Sequence, residues 1–167
     1  MLNALTVDVE DYFHVSAFEQ YVDRSDWDSL ESRVERNTHR LLELFDEASV
    51  AATFFTLGWV AQRFPGLVRD IVANGHELAC HGHSHQLIYK QSMQVFREET
   101  FRAKKLLEDI VGQEVKGYRA ASYSITHDSI WALQILIDAG FKYDSSIVPV
   151  RHDLYGMRGA RPHPYRI

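Results

Sequence analysis

The sequence predicts an α/β protein with a parallel β-sheet, and three observations support this fold class. Short apolar segments typical of strands alternate with longer segments in which apolar residues recur every three or four positions. Glycines follow two of the longer segments, at points where helices commonly end. The strand–helix alternation repeats four times and closes on a fifth strand, which is the pattern of consecutive βαβ units.

The five predicted strands are short and are spread along most of the chain. They span residues 5–9, 52–57, 76–80, 117–121 and 142–147. Each intervening segment carries one apolar stripe with helical spacing. The stripes comprise Val34, Thr38, Leu41, Phe45 and Ala48; then Val60, Phe64, Leu67, Val68, Ile71 and Val72; then Ala103, Leu106, Leu107 and Ile110; and finally Ile130, Leu133 and Ile137.

Helix-capping residues lie at the boundaries of these segments. The pair Asn74 and Gly75 follows one stripe and Gly140 follows another, where a left-handed C-cap residue is expected. The start of the first helix is less clear, because several residues could cap it and the sequence does not choose between them. The candidates are Asp26, Ser29 and Ser32.

An open doubly wound sheet and a partial (β/α) barrel both fit this alternation, and periodicity does not separate them. A complete eight-unit barrel usually needs about 250 residues. This chain has 167 residues and five predicted strands. Residues 151–167 show neither helical nor strand periodicity and are predicted to form a loop. We therefore expect residues 1–150 to form the N-terminal part of a domain, and residues 151–167 to lead towards a C-terminal part that the chain lacks.

Composition excludes several classes of protein. Because 46% of the residues are apolar and 25% are charged, a globular core is expected rather than disorder. The net charge of −5 argues against nucleic-acid binding. The single cysteine, Cys80, cannot form an intrachain disulfide and is expected in the core. The sequence predicts neither a membrane span nor a signal peptide, so a cytoplasmic location is expected.

Carboxylates follow the first predicted strand, at the edge where parallel α/β folds form their active sites. Strand alternation places Asp8 and Glu10 on one side and turns Asp11 towards the loop. Two close carboxylates repel each other, and a divalent metal or an arginine would relieve that repulsion. Alternatively, Glu10 or Asp11 caps a helix that begins at Tyr12.

Three histidines follow the third predicted strand within five residues. The spacing of four places His81 and His85 on one side of a turn, and the intervening Gly82 and Ser84 favour a turn over a strand. Because imidazole is a common ligand of zinc, we predict His81 and His85 as metal ligands and His83 as pointing away. The alternative is a surface loop that happens to be rich in histidine. The other histidines weighed are expected in structural, surface or packing roles: His76, His14, His39 and His127.

Arg119 ends the fourth predicted strand on the same edge. Its planar guanidinium suits one carboxylate, and pairing with Asp8 would keep that carboxylate ionised and oriented. The alternative is an ordinary surface salt bridge. Two histidines and one carboxylate with open positions form a metal site typical of hydrolases, although Fe(II) oxygenases use the same set. The sequence lacks the serine-nucleophile, phosphate-binding and dinucleotide-binding motifs, which weakens those alternatives.

Together these segments resemble the polysaccharide deacetylase family, also called the NodB homology domain or carbohydrate esterase family 4. The resemblance runs from Leu5 to about Pro149 and rests on residues 5–11, 52–58, 75–85, 117–124 and 143–146. The run from Asp8 to His14 is similar to the subgroup found with exosortase (PEP-CTERM) exopolysaccharide loci of Gram-negative bacteria.

The resemblance implies a distorted (β/α) barrel of the NodB type, here incomplete with about five βα units. It also implies metal-dependent removal of an acetyl group, most readily N-acetyl, from an acetylated polysaccharide or oligosaccharide in exopolysaccharide metabolism. Carried over to this chain, His81 and His85 bind the metal, Asp8 is the general base and Arg119 orients it. Tyr123 lines the sugar pocket. Zinc is the first choice of metal, with cobalt, nickel or manganese as alternatives.

The chain departs from the family pattern at the metal site. Val9 replaces the second carboxylate of the usual pair, so the third ligand is either Glu10 or Asp11. Strand geometry favours Glu10, because it shares a face with Asp8.

Two further departures concern later motifs. Ala121 stands where the family usually has proline, which is expected to loosen the loop of Arg119. The late Leu-x-His motif, which carries the general-acid histidine, has no match, since His152 and His163 lie in other contexts. We therefore expect poor protonation of the leaving amine, a loss of roughly 10²–10⁴-fold.

Two other functions remain open at this point. One is a related C–N hydrolase that acts on a small amide, and the other is a catalytically silent carbohydrate-binding domain. The expected partner is an acetylated carbohydrate, with neither nucleic acid nor a membrane span. A barrel with five units would expose two sheet edges, which makes a homo-oligomer possible.

Overall fold

The computed structural model describes residues 4–166 and contains a five-stranded sheet in which all strands are parallel. Residues 1–3 and 167, at the ends of the two predicted segments 1–150 and 151–167, lie outside the described residues. Each observed strand lies within one of the five predicted segments, so those predictions are confirmed. The strands are β1 Thr6–Val9, β2 Thr53–Thr56, β3 Glu77–Cys80, β4 Gly117–Tyr118 and β5 Tyr143–Asp144.

Strand order separates the two architectures that the sequence left open. The strands lie side by side in chain order, β1-β2-β3-β4-β5. A doubly wound sheet reverses its order at a switch point, whereas a (β/α) barrel adds each strand beside the previous one. The sheet is therefore an incomplete barrel, and the carboxyl ends of its strands share one rim.

Five α-helices lie between the strands. They are α1 Val34–Glu47, α2 Gly58–Arg63, α3 Pro65–Ala73, α4 Met93–Val111 and α5 Ala132–Asp138. The second predicted stripe is divided between α2 and α3, because Pro65 disfavours helical backbone at Phe64, which has φ −125° and ψ 60°. Helix α4 begins well before its predicted stripe, at a cap where Ser92 Oγ accepts from Val95 N at 3.2 Å.

The buried face of α5 agrees only in part with the prediction. Leu133 of the predicted stripe is buried, but Ile130 and Ile137 are 45% and 54% exposed, and Ala132 and Leu136 are buried in their place. This segment is apolar at almost every position, so more than one set of residues with helical spacing could form its apolar face. Packing against the rest of the protein, rather than periodicity, decides which of these faces is buried.

The first helix begins without any of its three predicted N-caps. Its first amides, Arg33 N and Val34 N, donate to Asp11 Oδ2 at 2.7 and 3.1 Å, and Ser32 Oγ donates to the same oxygen at 2.7 Å. A carboxylate more than twenty residues away therefore caps α1. The local sequence around the helix start does not contain this information.

The helix ends and the core follow the sequence more closely. Gly75 and Gly140 follow α3 and α5 with φ values of +82° and +81°, which confirms the predicted left-handed ends. Cys80 is fully buried in the core, as predicted. Residues 145–166 form turns and bends without helix or strand. Among the described residues, every helix falls short of the length and apolar character needed to cross a membrane.

Candidate metal and acid–base site

Glu10, His81 and His85 converge on one point at the rim of the sheet. Glu10 follows β1 and the histidines follow β3, and one ligand atom from each residue lies within 4.8 Å of the other two. Glu10 Oε2 is 2.9 Å from His85 Nε2 and 3.8 Å from His81 Nε2, yet it makes no hydrogen bond of good geometry. Both histidines are buried and the Glu10 side chain is 18% exposed. These donor atoms suit a zinc-like divalent cation.

The surroundings favour the metal-binding forms of these side chains. His81 Nδ1 donates to the backbone carbonyl of Arg119 at 2.8 Å, so the lone pair of its Nε2 faces Glu10. Burial lowers the pKa of His81, against the attraction of Asp8 and Glu10, and keeps the imidazole neutral. For Glu10, burial raises the pKa, but contacts with His85 and the field of His81 outweigh it and lower the pKa overall.

Asp8 and Arg119 form an ion pair beside this cluster. Arg119 Nη1 lies 2.6 Å from Asp8 Oδ1, which confirms the predicted pairing. The guanidinium is almost fully buried, because its carbon lies 4.0 Å from the ring centroid of Phe55 and 5.4 Å from that of Tyr123. Asp8 remains 27% exposed on its side chain, so a substrate or water can still reach it.

Asp11 lies outside the cluster, so the structure does not place it as a metal ligand. Its carboxylate is occupied by the start of α1 and also accepts from Tyr12 N at 3.1 Å. Strand alternation explains the difference from Glu10, because Asp11 points to the side opposite the face that carries Asp8 and Glu10. Asp11 also caps the short 3-10 turn Tyr12–His14, which is the helix-capping role that the sequence left open.

Three histidines outside the cluster are buried and have structural contacts. His83 is buried against Gly58 and stays outside the cluster, as predicted. His76 Nδ1 accepts from Ala52 N at 3.3 Å. His14 is buried among Phe13, Trp27 and Trp59, its Nδ1 accepts from Asp11 N at 2.8 Å, and burial lowers its pKa to about 4.

Backbone strain is concentrated at this rim. Among the described non-glycine residues, those with positive φ are His85 at 49°, Ser122 at 49°, Tyr123 at 51° and Ser49 at 52°, and all but Ser49 border the site. Such conformations cost about 1–3 kcal/mol each and persist where the surroundings hold them. With this backbone conformation, the ring of Tyr123 lies beside Arg119, 5.4 Å from its guanidinium carbon.

The family model for polysaccharide deacetylases matches residues 23–143. The chain belongs to the polysaccharide deacetylase family. Its curated relatives include a peptidoglycan deacetylase from Helicobacter pylori, 29% identical over 109 residues, which cover 65% of this chain and 36% of the relative. The peptidoglycan deacetylase-like protein FGM2 from Gibberella zeae is 31% identical over 125 residues, covering 74% of this chain and 36% of FGM2.

A solved structure supports the same fold for this polysaccharide deacetylase family member. A Mycobacterium smegmatis protein assigned to the polysaccharide deacetylases superposes with a TM-score of 0.71 at 29% identity, covering 86% of this chain and 50% of that chain. The aligned part of the chain spans about a third of the two curated relatives and half of the mycobacterial protein.

Sequence reasoning missed the side chains that hold Arg119 in place. Arg119 Nη2 donates to Thr6 Oγ1 and to Ser145 Oγ, both at 3.0 Å. Ser146 Oγ accepts from Ala120 N at 2.8 Å and donates to Asp144. The resemblance covered residues 143–146 but gave them no role. The only available signal was two serines and a carboxylate at a strand end on the rim.

A groove of about 670 Å³ adjoins the rim. It is lined by Tyr89, Lys90, His127 and Tyr155 among others, and the ring centroid of Tyr155 lies 6.1 Å from that of Tyr123. The groove therefore borders the side of the site that Tyr123 forms.

Proposed function

We propose that this chain carries the metal and base half of a hydrolase that removes an acetyl group, most readily N-acetyl, from an acetylated polysaccharide or oligosaccharide. The observation that carries the proposal is the convergence of Glu10, His81 and His85 beside the Asp8–Arg119 pair. The names of the relatives support a carbohydrate substrate. The resemblance of the run from Asp8 to His14 favours an exopolysaccharide.

The residues present fit a divalent cation. Glu10 Oε2 is buried and lacks a hydrogen-bond partner among the described residues, and the two imidazoles next to it are also buried. Zinc is the metal that this donor set favours, and cobalt, nickel or manganese are alternatives. Such a cation, when bound, supplies Lewis-acid polarisation of an acetyl carbonyl and lowers the pKa of water.

The protein groups divide the remaining tasks. Asp8 accepts the proton of the attacking water, since it is partly exposed and lies beside the cluster rather than within it. Arg119 holds the Asp8 carboxylate through Nη1 and is itself fixed by Thr6 and Ser145. Tyr123 forms a wall against which a sugar ring packs, and the adjoining groove accommodates neighbouring sugars.

Metal content is the first test. Purified protein is expected to hold about one zinc per chain, and the double variant His81→Ala/His85→Ala is expected to hold none. A folded wild-type protein without metal would overturn the metal-dependent function and favour the carbohydrate-binding alternative.

The role of Asp8 is tested separately. Asp8→Asn is expected to retain zinc and to lower acetate release from N-acetylated oligosaccharides by roughly 10²–10⁴-fold. Joint loss of zinc and turnover would contradict the separation of base and ligand. Release of product from small cyclic amides but not from acetylated sugars would identify the related C–N hydrolase instead. Sugar binding without acetate release would identify a silent domain.

A further inference from the structure

A small cavity adjoins the histidine loop, and His85 is among the residues that line it. Its volume of about 10 Å³ is close to that of one water molecule by the same measure. Polar residues from outside the loop also line it, among them Gln91, Glu99 and Thr100. From the loop itself, the lining residues are His81, Gly82, His83 and His85.

Several buried polar atoms of residues lining this cavity have no hydrogen-bond partner in the described chain. They are His85 Nδ1, Thr100 Oγ1 and Gln91 Oε1, together with His83 Nδ1. His83 Nδ1 is set apart from the other three because it faces Gly58, where an added Cβ would lie 2.3 Å from it. Leaving three neutral polar atoms unsatisfied around one cavity would cost about 1–3 kcal/mol each.

Two neighbouring polar groups are already hydrogen-bonded. Glu99 Oε2 accepts from Ser84 Oγ at 2.6 Å, and Gln91 Nε2 donates to the Gln86 carbonyl at 2.9 Å. The Tyr118 hydroxyl approaches Thr100 without making a hydrogen bond of good geometry. A small molecule with both donors and acceptors satisfies the three remaining atoms, and water does so with three bonds, which is typical of buried waters.

The two metal-binding imidazoles differ in how they are oriented. His81 donates its Nδ1 proton directly to the Arg119 carbonyl. His85 has positive φ and its Nδ1 has no protein partner among the described residues. Metal-binding histidines nearly always donate their second N–H, because that bond fixes the tautomer and the ring orientation.

We propose that the cavity binds one ordered water that accepts the Nδ1 proton of His85 and donates to Gln91 and Thr100, making these two side chains positioning residues for the metal site. The part that concerns zinc rests on the function proposed above. The part that concerns the water and the His85 ring does not, because the cavity and the side chains of His85, Gln91 and Thr100 are present in the metal-free protein.

Thr100→Val is the sharpest variant, because it replaces only a hydroxyl that has no hydrogen-bond partner among residues 4–166. Zinc affinity, measured by chelator competition, is expected to fall about 10-fold, and the absorption spectrum of the cobalt form is expected to change. Thr100→Ser should retain the wild-type values. Thr38→Val, a buried threonine of α1 outside the cavity, is the matched control. If Thr100→Val fails to fold, Gln91→Met tests the same water from its other partner.

Two metal-free readouts separate this proposal from the proposed function. A crystal structure of the metal-free protein is expected to show a water about 2.6–3.2 Å from both His85 Nδ1 and Thr100 Oγ1. The Nδ1 proton of His85 should exchange slowly with solvent in wild type and Thr100→Ser, and faster in Thr100→Val. An ordered protein partner on His85 Nδ1, or equal exchange in all three proteins, would overturn the proposal. Wild-type protein that binds no zinc but holds this water would overturn only the proposed function.

Discussion

Glu10 and Asp11 are adjacent carboxylates with different contacts. Glu10 faces two buried imidazoles, whereas Asp11 accepts three hydrogen bonds from the start of α1 and one from Tyr12. A carboxylate with several N–H donors stabilises the fold, and a carboxylate beside two imidazoles suits a cation. The two residues should therefore separate metal binding from stability.

Glu10→Gln is expected to weaken zinc binding by more than about 10-fold, because even the loss of a residue that contacts a metal ligand typically costs that much. The free energy of unfolding of this variant without metal should stay close to that of wild type. Asp11→Asn should do the opposite. Its zinc affinity stays near wild type, and its stability falls by about 1–3 kcal/mol because the helix start loses an anionic acceptor. Chelator competition and urea unfolding measure the two effects. If Asp11→Asn lost zinc and Glu10→Gln retained it, Asp11 rather than Glu10 would be the metal ligand.

Asp144 gives the stability of the protein a defined pH dependence. Burial raises its pKa to about 6, against hydrogen bonds from Ser146 and the attraction of Arg119. In the unfolded chain a carboxyl ionises near pH 4. Between these values the folded state holds a proton that the unfolded state has lost, so this group makes the protein less stable as pH rises from about 4 to 6.

Asp144→Asn removes that titration. The free energy of unfolding of wild type, relative to the variant, is expected to fall by up to about 3 kcal/mol between pH 4 and pH 7.5. Asparagine also removes one acceptor for Ser146, which lowers the stability of the variant at every pH. The two proteins are therefore compared by how their free energy of unfolding changes with pH, not by its value at one pH. Urea unfolding at several pH values measures the difference. Parallel pH profiles would show that Asp144 ionises normally in the folded protein.

At the scale of elements, the start of α2 is packed directly against the histidine loop. Gly58 N donates to the Gly82 carbonyl at 2.8 Å and Trp59 N donates to the His83 carbonyl at 3.0 Å. A Cβ on Gly58 would lie 2.3 Å from His83 Nδ1. The start of α2 therefore fixes the backbone that carries the two proposed metal ligands, and Gly58 has no space for a side chain.

Gly58→Ala is expected to destabilise the protein by about 1–3 kcal/mol, because overpacking must displace the ring of His83. It should also weaken zinc binding, since the displaced ring lies between the two ligands in sequence. Gly66→Ala is the matched control. Gly66 lies in α3 with no atom within 4 Å of the added Cβ, so alanine should leave stability unchanged or raise it by up to about 1 kcal/mol. Equal effects in both variants would contradict this packing argument.

The sequence predicted the elements better than it predicted their contacts. Periodicity located all five strands, because a buried parallel strand is a short apolar run whatever surrounds it. It missed the break at Phe64 and Pro65, although the proline is visible. In the last stripe it placed Leu133 correctly but Ile130 and Ile137 wrongly, because too many positions there are apolar. The cap of α1 by Asp11 was also missed, because it joins residues that are distant in sequence.

The candidate site shows the same limit. The rim position of Asp8, His81 and Arg119 followed from the rule that parallel strands end at one edge. Strand alternation also favoured Glu10 over Asp11. The anchoring of Arg119 by Ser145 and the surroundings of His85 depend on how separate loops pack, and no local pattern carries that information.

At the scale of the whole molecule, the proposed metal ion joins parts of the barrel that do not touch through strand pairing. Glu10 follows β1 and the histidines follow β3, with β2 lying between these strands. A cation that bridges them binds the folded chain and has little affinity for the unfolded one. Binding should therefore stabilise the entire fold and not only the rim.

Zinc at a free concentration 100 times its dissociation constant is expected to add about 2.7 kcal/mol to the free energy of unfolding. The gain should rise with the logarithm of zinc concentration above saturation, as mass action requires. Thermal and urea unfolding at several zinc concentrations measure it. The double variant His81→Ala/His85→Ala should show no gain, and Asp8→Asn should show the full gain, since Asp8 lies outside the ligand cluster. A gain of similar size in the double variant would mean that zinc stabilises the protein at another position and that β1 and β3 are not joined through these residues.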